Sequence, residues 1–317
     1  MRQTKTRLEA GGQRRSAPPR QGRGARRSVG STRALQSRAL KPARFEPHTG
    51  YWREGSFGVM PRPRKLRLVT WNIWFGEHRW MDRLDALLAE VERAQADLIA
   101  LQEVTRRQLS RILETDWVQR DFAVSDAQGL SLDPHGVLLL ARPSLQDLRL
   151  IGLPSRRHRK LVHAELDTEC GPIQVVTAHL ESGADAVALR EAQLHIAARV
   201  LGNGSAAVLL GDLNFDAERD PEEDHVPPGL VDCWRALRAG QAAGNTLDPI
   251  ENAMRAAMVE ETGTQRPLRC DRILFRPDAD HRWQPTAIRA IGTTPIDSAG
   301  ALYASDHFGL LVEIGCG

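Results

Sequence analysis

Apolar residues along this chain gather into short runs bounded by charged, Gly or Pro positions, and the spacing inside each run sorts them into two kinds. Leu66 and Leu68 alternate with Val69, Trp71 and Ile73, which predicts a buried strand over 66–73. Directly after it, Leu84, Leu87, Leu88 and Val91 fall at i, i+3, i+4 and i+7, the stripe of an amphipathic helix. Further runs of strand length and composition lie at 97–104, 136–141, 161–166, 173–180, 206–210, 272–275 and 308–314. A second helix is predicted over 184–201 from its Ala, Leu, Arg and Glu content and the placing of Val187, Leu194, Ala198 and Leu201.

The strands at 136–141, 161–166 and 173–180 follow one another with no helix between them, so strict βαβ alternation is excluded. The pattern fits an α/β (α+β) fold in which mixed β-sheets pack face to face with helices outside. No internal repeat is visible.

Charge divides the chain. Its 317 residues carry a formal charge of only +3, yet the first 60 hold 14 Lys/Arg against 3 Asp/Glu and the remainder 29 against 37. The leading segment is rich in Arg, Gly, Ser and Pro and poor in large apolar residues, so burial there does not offset the entropy of ordering. Residues 1–60 are therefore expected to be a disordered basic tail and 61–317 one catalytic-sized domain. The tail suits an organelle transit peptide or a loose nucleic-acid arm, or else precedes a true start at Met60.

No apolar run reaches the roughly 18–20 residues needed to cross a bilayer, and Arg stands where a signal peptide would be apolar. A soluble, monomeric protein without a membrane partner is expected: cytoplasmic in a bacterium, nuclear or organellar in a eukaryote. Cys170, Cys233, Cys270 and Cys316 show no C-x-x-C spacing, and four reduced thiols are expected.

The candidate chemistry sits where the apolar runs stop. Asn72 in TWNIW, Glu103 in LQEV, His179 in TAHLES, Asp212 and Asn214 in GDLNF, and Asp306-His307 in SDHFG all occupy strand ends, with Asp271 opening the run CDRILF. Burying a charge is costly unless it is paired or bound to a metal, so a chain that places so many such groups at strand ends is expected to gather them at one site.

These motifs together resemble the endonuclease/exonuclease/phosphatase superfamily over nearly all of 67–314. HLES followed by a helix with Arg190 and Gln193, LVDCW after GDLN, and DRILFR before SDHFGLL are similar to its tyrosyl-DNA phosphodiesterase branch. The resemblance implies a four-layer DNase I-like sandwich of two packed mixed sheets flanked by helices. It further implies that Glu103, with Asn72 and Asp306, holds Mg²⁺ (or Mn²⁺) through oxygen ligands. Asp212 would orient or deprotonate the attacking water, and Asn214 would hold the phosphate or nucleophile. His179 and Ser182 would contact the substrate. His307, oriented by Asp271, would stabilise charge on phosphorus or the leaving group.

The implied reaction is hydrolysis of a 5′-phosphotyrosyl bond at a DNA end, leaving a 5′-phosphate, with DNA ends or protein-linked DNA as partner. The same residues serve a general DNase, an abasic-site endonuclease or a lipid or inositol phosphatase, and an inactive nucleic-acid-binding relative is the third alternative. Two departures stand out. Leu247-Asp248 replaces a Trp-Asp pair, removing an aromatic that would stack on a base. Ile73-Trp74-Phe75 follows Asn72 where a small or acidic continuation is usual. A basic loop, Arg156-Arg157-His158-Arg159-Lys160, reads either as solvated charge or as a guide for a DNA end.

Overall fold

The computed structural model describes residues 36–317 apart from 56, 58, 59, 61, 242, 260–265 and 281. In chain order the elements are β1 (Ser37–Ala39), β2 (Ala43–Glu46), β3 (Tyr51–Glu54), β4 (Lys65–Asn72), α1 (Trp80–Arg93), β5 (Leu98–Val104), α2 (Arg106–Leu113), α3 (Asp116–Asp121), β6 (Ala123–Val124), β7 (Gly136–Ala141), β8 (Leu145–Gly152), β9 (Lys160–Leu166), β10 (Ile173–His179), α4 (Val187–Leu201), β11 (Ala206–Asp212), β12 (Val231–Asp232), α5 (Cys233–Leu237), α6 (Ala253–Ala257), β13 (Asp271–Arg276), β14 (Trp283–Ile291) and β15 (Gly309–Cys316).

They build two mixed sheets. One has the order β1-β8-β9-β10-β11-β13-β12, the other β14-β15-β4-β5-β7-β6-β2-β3. Each sheet has one parallel pair at its heart, β10 with β11 and β4 with β5, and antiparallel pairing elsewhere. A parallel pair needs a crossover, and α1 and α4 supply the two. Alternation along β4 then explains the layers. Leu66 and Leu68 face the other sheet, among Leu98, Val175, Val208 and Leu310. Val69 and Trp71 face outward, under Leu84, Leu87, Leu88 and Val91 of α1. On the far side Leu194, Ala197 and Leu201 of α4 cover Val176, Ala178 and Leu209. The result is the expected helix–sheet–sheet–helix sandwich.

Three expectations need correction. The division at residue 60 does not match the strands: β1 pairs with β8 at the edge of one sheet, and the β2–β3 hairpin joins the other through Ala43 and Val124. β1 and β3 are mostly exposed, whereas β2 is half-buried and Trp52 of β3 packs on the core, so long-range pairing and packing that composition does not reveal hold the segment, and it covers edges that would otherwise invite association. The remainder of the expected tail, residues 1–35, lies outside the described residues.

The thiols are not all reduced, because Cys170 and Cys316 form a disulfide with Cα atoms 6.5 Å apart, while Cys233 and Cys270 are free and buried. A separation of 146 residues hides this pairing. Cys170 precedes β10 and Cys316 ends β15, and both fall at the end of the sandwich remote from the strand ends that carry the polar motifs. Finally, the helix expected from 184 begins at Val187, after a 3₁₀ turn over Ala184–Ala186. Its buried stripe includes Arg190 and Gln193 in place of the partly exposed Val187 and Ala198.

Candidate active site

Strand direction gathers the polar residues. The parallel strands β4, β5, β10 and β11 all finish at one end of the sandwich with Asn72, Glu103-Val104, His179 and Asp212. Their antiparallel neighbours start there, so β13 opens with Asp271 opposite Asp212, and Ser305-Asp306-His307 leads into β15. Every candidate from the sequence therefore lies at this end.

Local backbone features aim the side chains. At Gly211 a Cβ would overlap the carbonyl oxygen of Ala178, so glycine is needed to bring β10 and β11 close, with His179 directly across from Asp212. Glu103 sits where the register of β5 against β7 shifts, with φ +63, and it is the one β5 residue that is not fully buried. A bulge of this kind re-aims a side chain out of the ladder. Asn214, at φ +55, donates its backbone N–H to Asp212 Oδ1 at 2.9 Å and its Nδ2 to the Leu180 carbonyl at 3.0 Å.

Asp212 is the hub. Its Oδ2 accepts from Asn72 Nδ2 at 2.9 Å, a link between the two sheets, and lies 3.3 Å from His179 Nε2. Burial alone would raise its pKa, but His179, His307 and the Asn72 amide outweigh burial and hold the carboxyl below the usual carboxylate range. Arg159 Nη1 donates to His179 Nδ1 at 2.7 Å, and since a guanidinium only donates, Nδ1 is the acceptor and Nε2 carries the ring proton toward Asp212. Burial, reinforced by Arg159, lowers the His179 pKa and keeps this tautomer neutral.

His307 has the opposite character. Its Nδ1 stands 2.7 Å from Asp271 Oδ2 and its Nε2 3.9 Å from Asp306 Oδ2. Burial opposes its charging, yet Asp271 and Asp306 overcome this and raise its pKa well above the ordinary value. The site therefore holds one neutral and one cationic imidazole. Ser305 Oγ donates to the Asn72 carbonyl at 2.6 Å, the His307 N–H donates to Ser305 Oγ at 3.2 Å, and Trp71 Nε1 donates to the His307 carbonyl at 2.9 Å.

Two groupings could take a metal. Cys270, Asp271 and His307 are close enough together, but burial, with Asp212 and Asp271 nearby, pushes the Cys270 thiol up to about 12, and the Asp271–His307 hydrogen bond occupies the atoms that would ligate. Glu103, Asp306 and Asn72 fit a hard dication better. Glu103 accepts one backbone bond, from Phe75 N at 3.1 Å, with His179 Nε2 3.9 Å away. Asp306 has loose partners, Ser305 Oγ at 3.4 Å, Arg255 Nη1 at 3.8 Å and His307 Nε2 at 3.9 Å, and Asn72 Oδ1 accepts from Trp74 N at 3.1 Å. All three keep oxygen lone pairs, the donor set Mg²⁺ prefers.

Other residues support the site through contacts that the sequence did not reveal. The basic loop is only partly solvated. Arg159 is buried against His179 and reaches Ser182 Oγ at 3.5 Å, and Lys160 donates to the Ser131 carbonyl at 3.1 Å. Buried Glu181 pins the loop by accepting from Ser155 Oγ at 2.6 Å and Arg156 N at 3.1 Å, while Gln193 Oε1 holds the Glu181 N–H. An Arg before a strand gives no signal that separates this role from a solvated one. Leu247 is buried in a bridge with Leu268, so the position lacking the aromatic is interior and offers no stacking face.

Comparison with known proteins fits this geometry. The model of the endonuclease/exonuclease/phosphatase family matches residues 69–307. A truncated TDP2 from Caenorhabditis elegans is 22% identical, with a TM-score of 0.65, over 80% of this chain and 98% of that one. D. rerio TDP2 complexed with single strand DNA product is 20% identical, with a TM-score of 0.66, over 80% and 100%. Sphingomyelinase C from Streptomyces griseocarneus is 16% identical, with a TM-score of 0.54, over 80% and 99%. At such identities these likenesses carry the fold alone. No curated protein sequence matches the chain.

Proposed function

The chain belongs to the endonuclease/exonuclease/phosphatase family, with its DNase I-like fold, and from that premise we propose that it is a Mg²⁺-dependent phosphodiesterase hydrolysing 5′-phosphotyrosyl bonds at DNA ends to leave a 5′-phosphate. The observation that carries the reading is the arrangement around Asp212: a neutral imidazole and an amide bonded to it, an Asp-held imidazolium near it, and an oxygen-donor set at Glu103. Phosphodiester hydrolysis needs an oriented water, a cationic environment for phosphorus and help for the leaving oxygen.

The residues divide this work. Asp212, kept strongly acidic, is a weak base, so it orients the water by accepting its hydrogen bond, beside Asn214. His179, with its proton on Nε2, donates to a non-bridging phosphate oxygen while Arg159 fixes the ring from behind and Ser182 lines the same wall. His307, charged and held by Asp271, stabilises the negative charge that builds on phosphorus and the departing oxygen. Glu103, with Asn72 and Asp306, would hold Mg²⁺, and Mn²⁺ fits the same donors. When bound, the ion supplies Lewis-acid neutralisation of the phosphate oxygens.

DNA as substrate is supported by the basic loop beside His179 and by the fold shared with the D. rerio protein that holds a DNA product. The test is incubation with Mg²⁺ and end-labelled oligonucleotides bearing a 5′-phosphotyrosyl, a 3′-phosphotyrosyl, an abasic site or plain ends, alongside inositol phosphates. Preferential release of tyrosine from the 5′ adduct supports the reading. Cleavage of plain duplex, or of inositol phosphates alone, replaces it with a general nuclease or a phosphatase; silence on all substrates leaves a binding protein.

A further inference from the structure

The unusual continuation after Asn72 places an aromatic surface at the mouth of the site. Trp74 takes a left-handed backbone, φ +56, uncommon for a bulky residue, with its N–H bonded to Asn72 Oδ1 and Arg83 packed 4.4 Å over its ring. Phe75 is then pinned at both backbone atoms: its N–H donates to Glu103 Oε2 at 3.1 Å, and its carbonyl accepts from Arg107 Nη2 at 3.4 Å. The residue is nevertheless 46% exposed. The ring stacks on His135 with centroids 4.8 Å apart and planes 6° apart, and His135 lies 6.4 Å from the His179 ring. An exposed phenyl ring that follows a left-handed Trp74 and is anchored through its own backbone to Glu103 and Arg107 does nothing for the core, and backbone strain such as that at Trp74 concentrates at functional sites.

We infer that the stacked Phe75–His135 pair is a platform for an unpaired nucleobase flanking the phosphate bound at His179. This rests on the proposal that the substrate is a nucleic-acid end. The surroundings fit that occupant. Arg157, whose side chain is 65% exposed, lines the same small cleft as His135, Lys160 and His179. Single-stranded nucleic acid is bound by this pairing of a cationic wall for the backbone with aromatic faces for the bases. Burial, then Arg159, Arg157 and Lys160, push His135 down to about 4, so near neutrality its ring is an uncharged aromatic. The platform also provides a stacking face, which Leu247, being interior, does not.

The test measures binding of a 3′-fluorescein-labelled, 5′-phosphorylated single-stranded oligonucleotide by anisotropy in EDTA, using the full chain, Phe75→Ala and Phe75→Trp. The probe is used intact and with a single abasic position at each of the first three nucleotides. Phe75→Ala is expected to raise Kd by about 5- to 150-fold, the fold-change equivalent of roughly 1–3 kcal/mol for one stacked base. One abasic position should weaken wild type to a similar degree and leave Phe75→Ala unaffected, and Phe75→Trp should bind like wild type or more tightly. The inference is overturned by an unchanged Kd in Phe75→Ala, by equal losses in both proteins at every abasic position, or by a defect confined to phosphotyrosyl hydrolysis with product binding intact, which would seat the tyrosyl ring there instead. Binding that follows the expected pattern without any phosphotyrosyl hydrolysis would sink the proposed reaction and keep the platform. Equal melting temperatures of the three proteins exclude misfolding.

Discussion

Replacing Asp271 by Asn isolates the charge that sets His307 apart. The amide is isosteric and its Oδ1 can still accept from Nδ1, so the ring keeps its place while the buried negative charge 2.7 Å away is lost. Two unit charges at that separation attract by about 6 kcal/mol at an effective dielectric of about 20, a ceiling that the cost of burying both groups cuts down. A nearby opposite charge shifts a titration by roughly 1–3 pH units, and a drop of that size is expected for His307 in the variant, where Asp306, Asp212 and the Cys270 hydrogen bond remain to raise it. The alkaline limb of the pH profile of kcat/KM should move down by the same amount, so that turnover on that limb should fall by about 10- to 10³-fold.

Stability carries the same sign. A group whose pKa is raised by folding stabilises fully below its unfolded value of about 6.5, and that contribution is lost as pH rises through the folded value. The wild-type melting temperature should therefore decline through that alkaline window, and the variant should lose this pH dependence there. Ring nitrogen shifts of His307, followed by NMR, report its charge directly. Coincident pH profiles in the two proteins, or a neutral His307 at pH 7 in wild type, would refute the reasoning.

Four further outcomes are expected. Asp212→Asn should lose roughly 10²–10⁴-fold in turnover with an unchanged circular dichroism spectrum, and near-normal turnover would remove it from the chemistry. Glu103→Gln should raise the Mg²⁺ concentration for half-maximal rate by about tenfold or more, with weakened ion binding also seen by calorimetry. Reduction of Cys170–Cys316 should cost about 2–4 kcal/mol in urea unfolding, since a cross-link over 146 residues restricts the unfolded chain strongly; identical unfolding with and without reductant would count against the bond. Deleting residues 1–35 should leave the melting temperature unchanged, whereas deleting 1–59 removes β1, β2 and β3 from both sheets and should lower it by several degrees.

The strands that the sequence made legible are those with unbroken apolar runs. β4, β5, β7, β10 and β11 are buried on both faces, and their side-chain patterns leave no other reading. β8 and β14 escaped notice because exposed polar positions such as Gln146, Asp147, Gln284 and Arg289 break their runs. β1, β2 and β3 were hidden in a segment whose composition suggests disorder, since β1 and β2 are ordered by pairing with strands more than 70 residues away and β3 by its hairpin with β2. The site residues were visible because acids, amides and imidazoles at the ends of buried strands are costly anywhere else.

Sequence by itself therefore determined which acids, amides and imidazoles stand at the strand ends, since type and position at a strand end are local facts. Tertiary structure alone decided how they differ from one another. His179 and His307 have the same side chain and both lie beside carboxylates, but burial with a guanidinium behind the ring keeps the first neutral, whereas Asp271 on Nδ1, with Asp306, outweighs burial and makes the second a cation. Arg159 passed for one more loop charge until the fold buried it, Leu247 for a missing surface until the fold enclosed it, and Phe75 gained its setting from His135, 60 residues further along. Coulombic and stacking energies depend on distance and on exclusion of water, and neither is defined until the sheets close on each other.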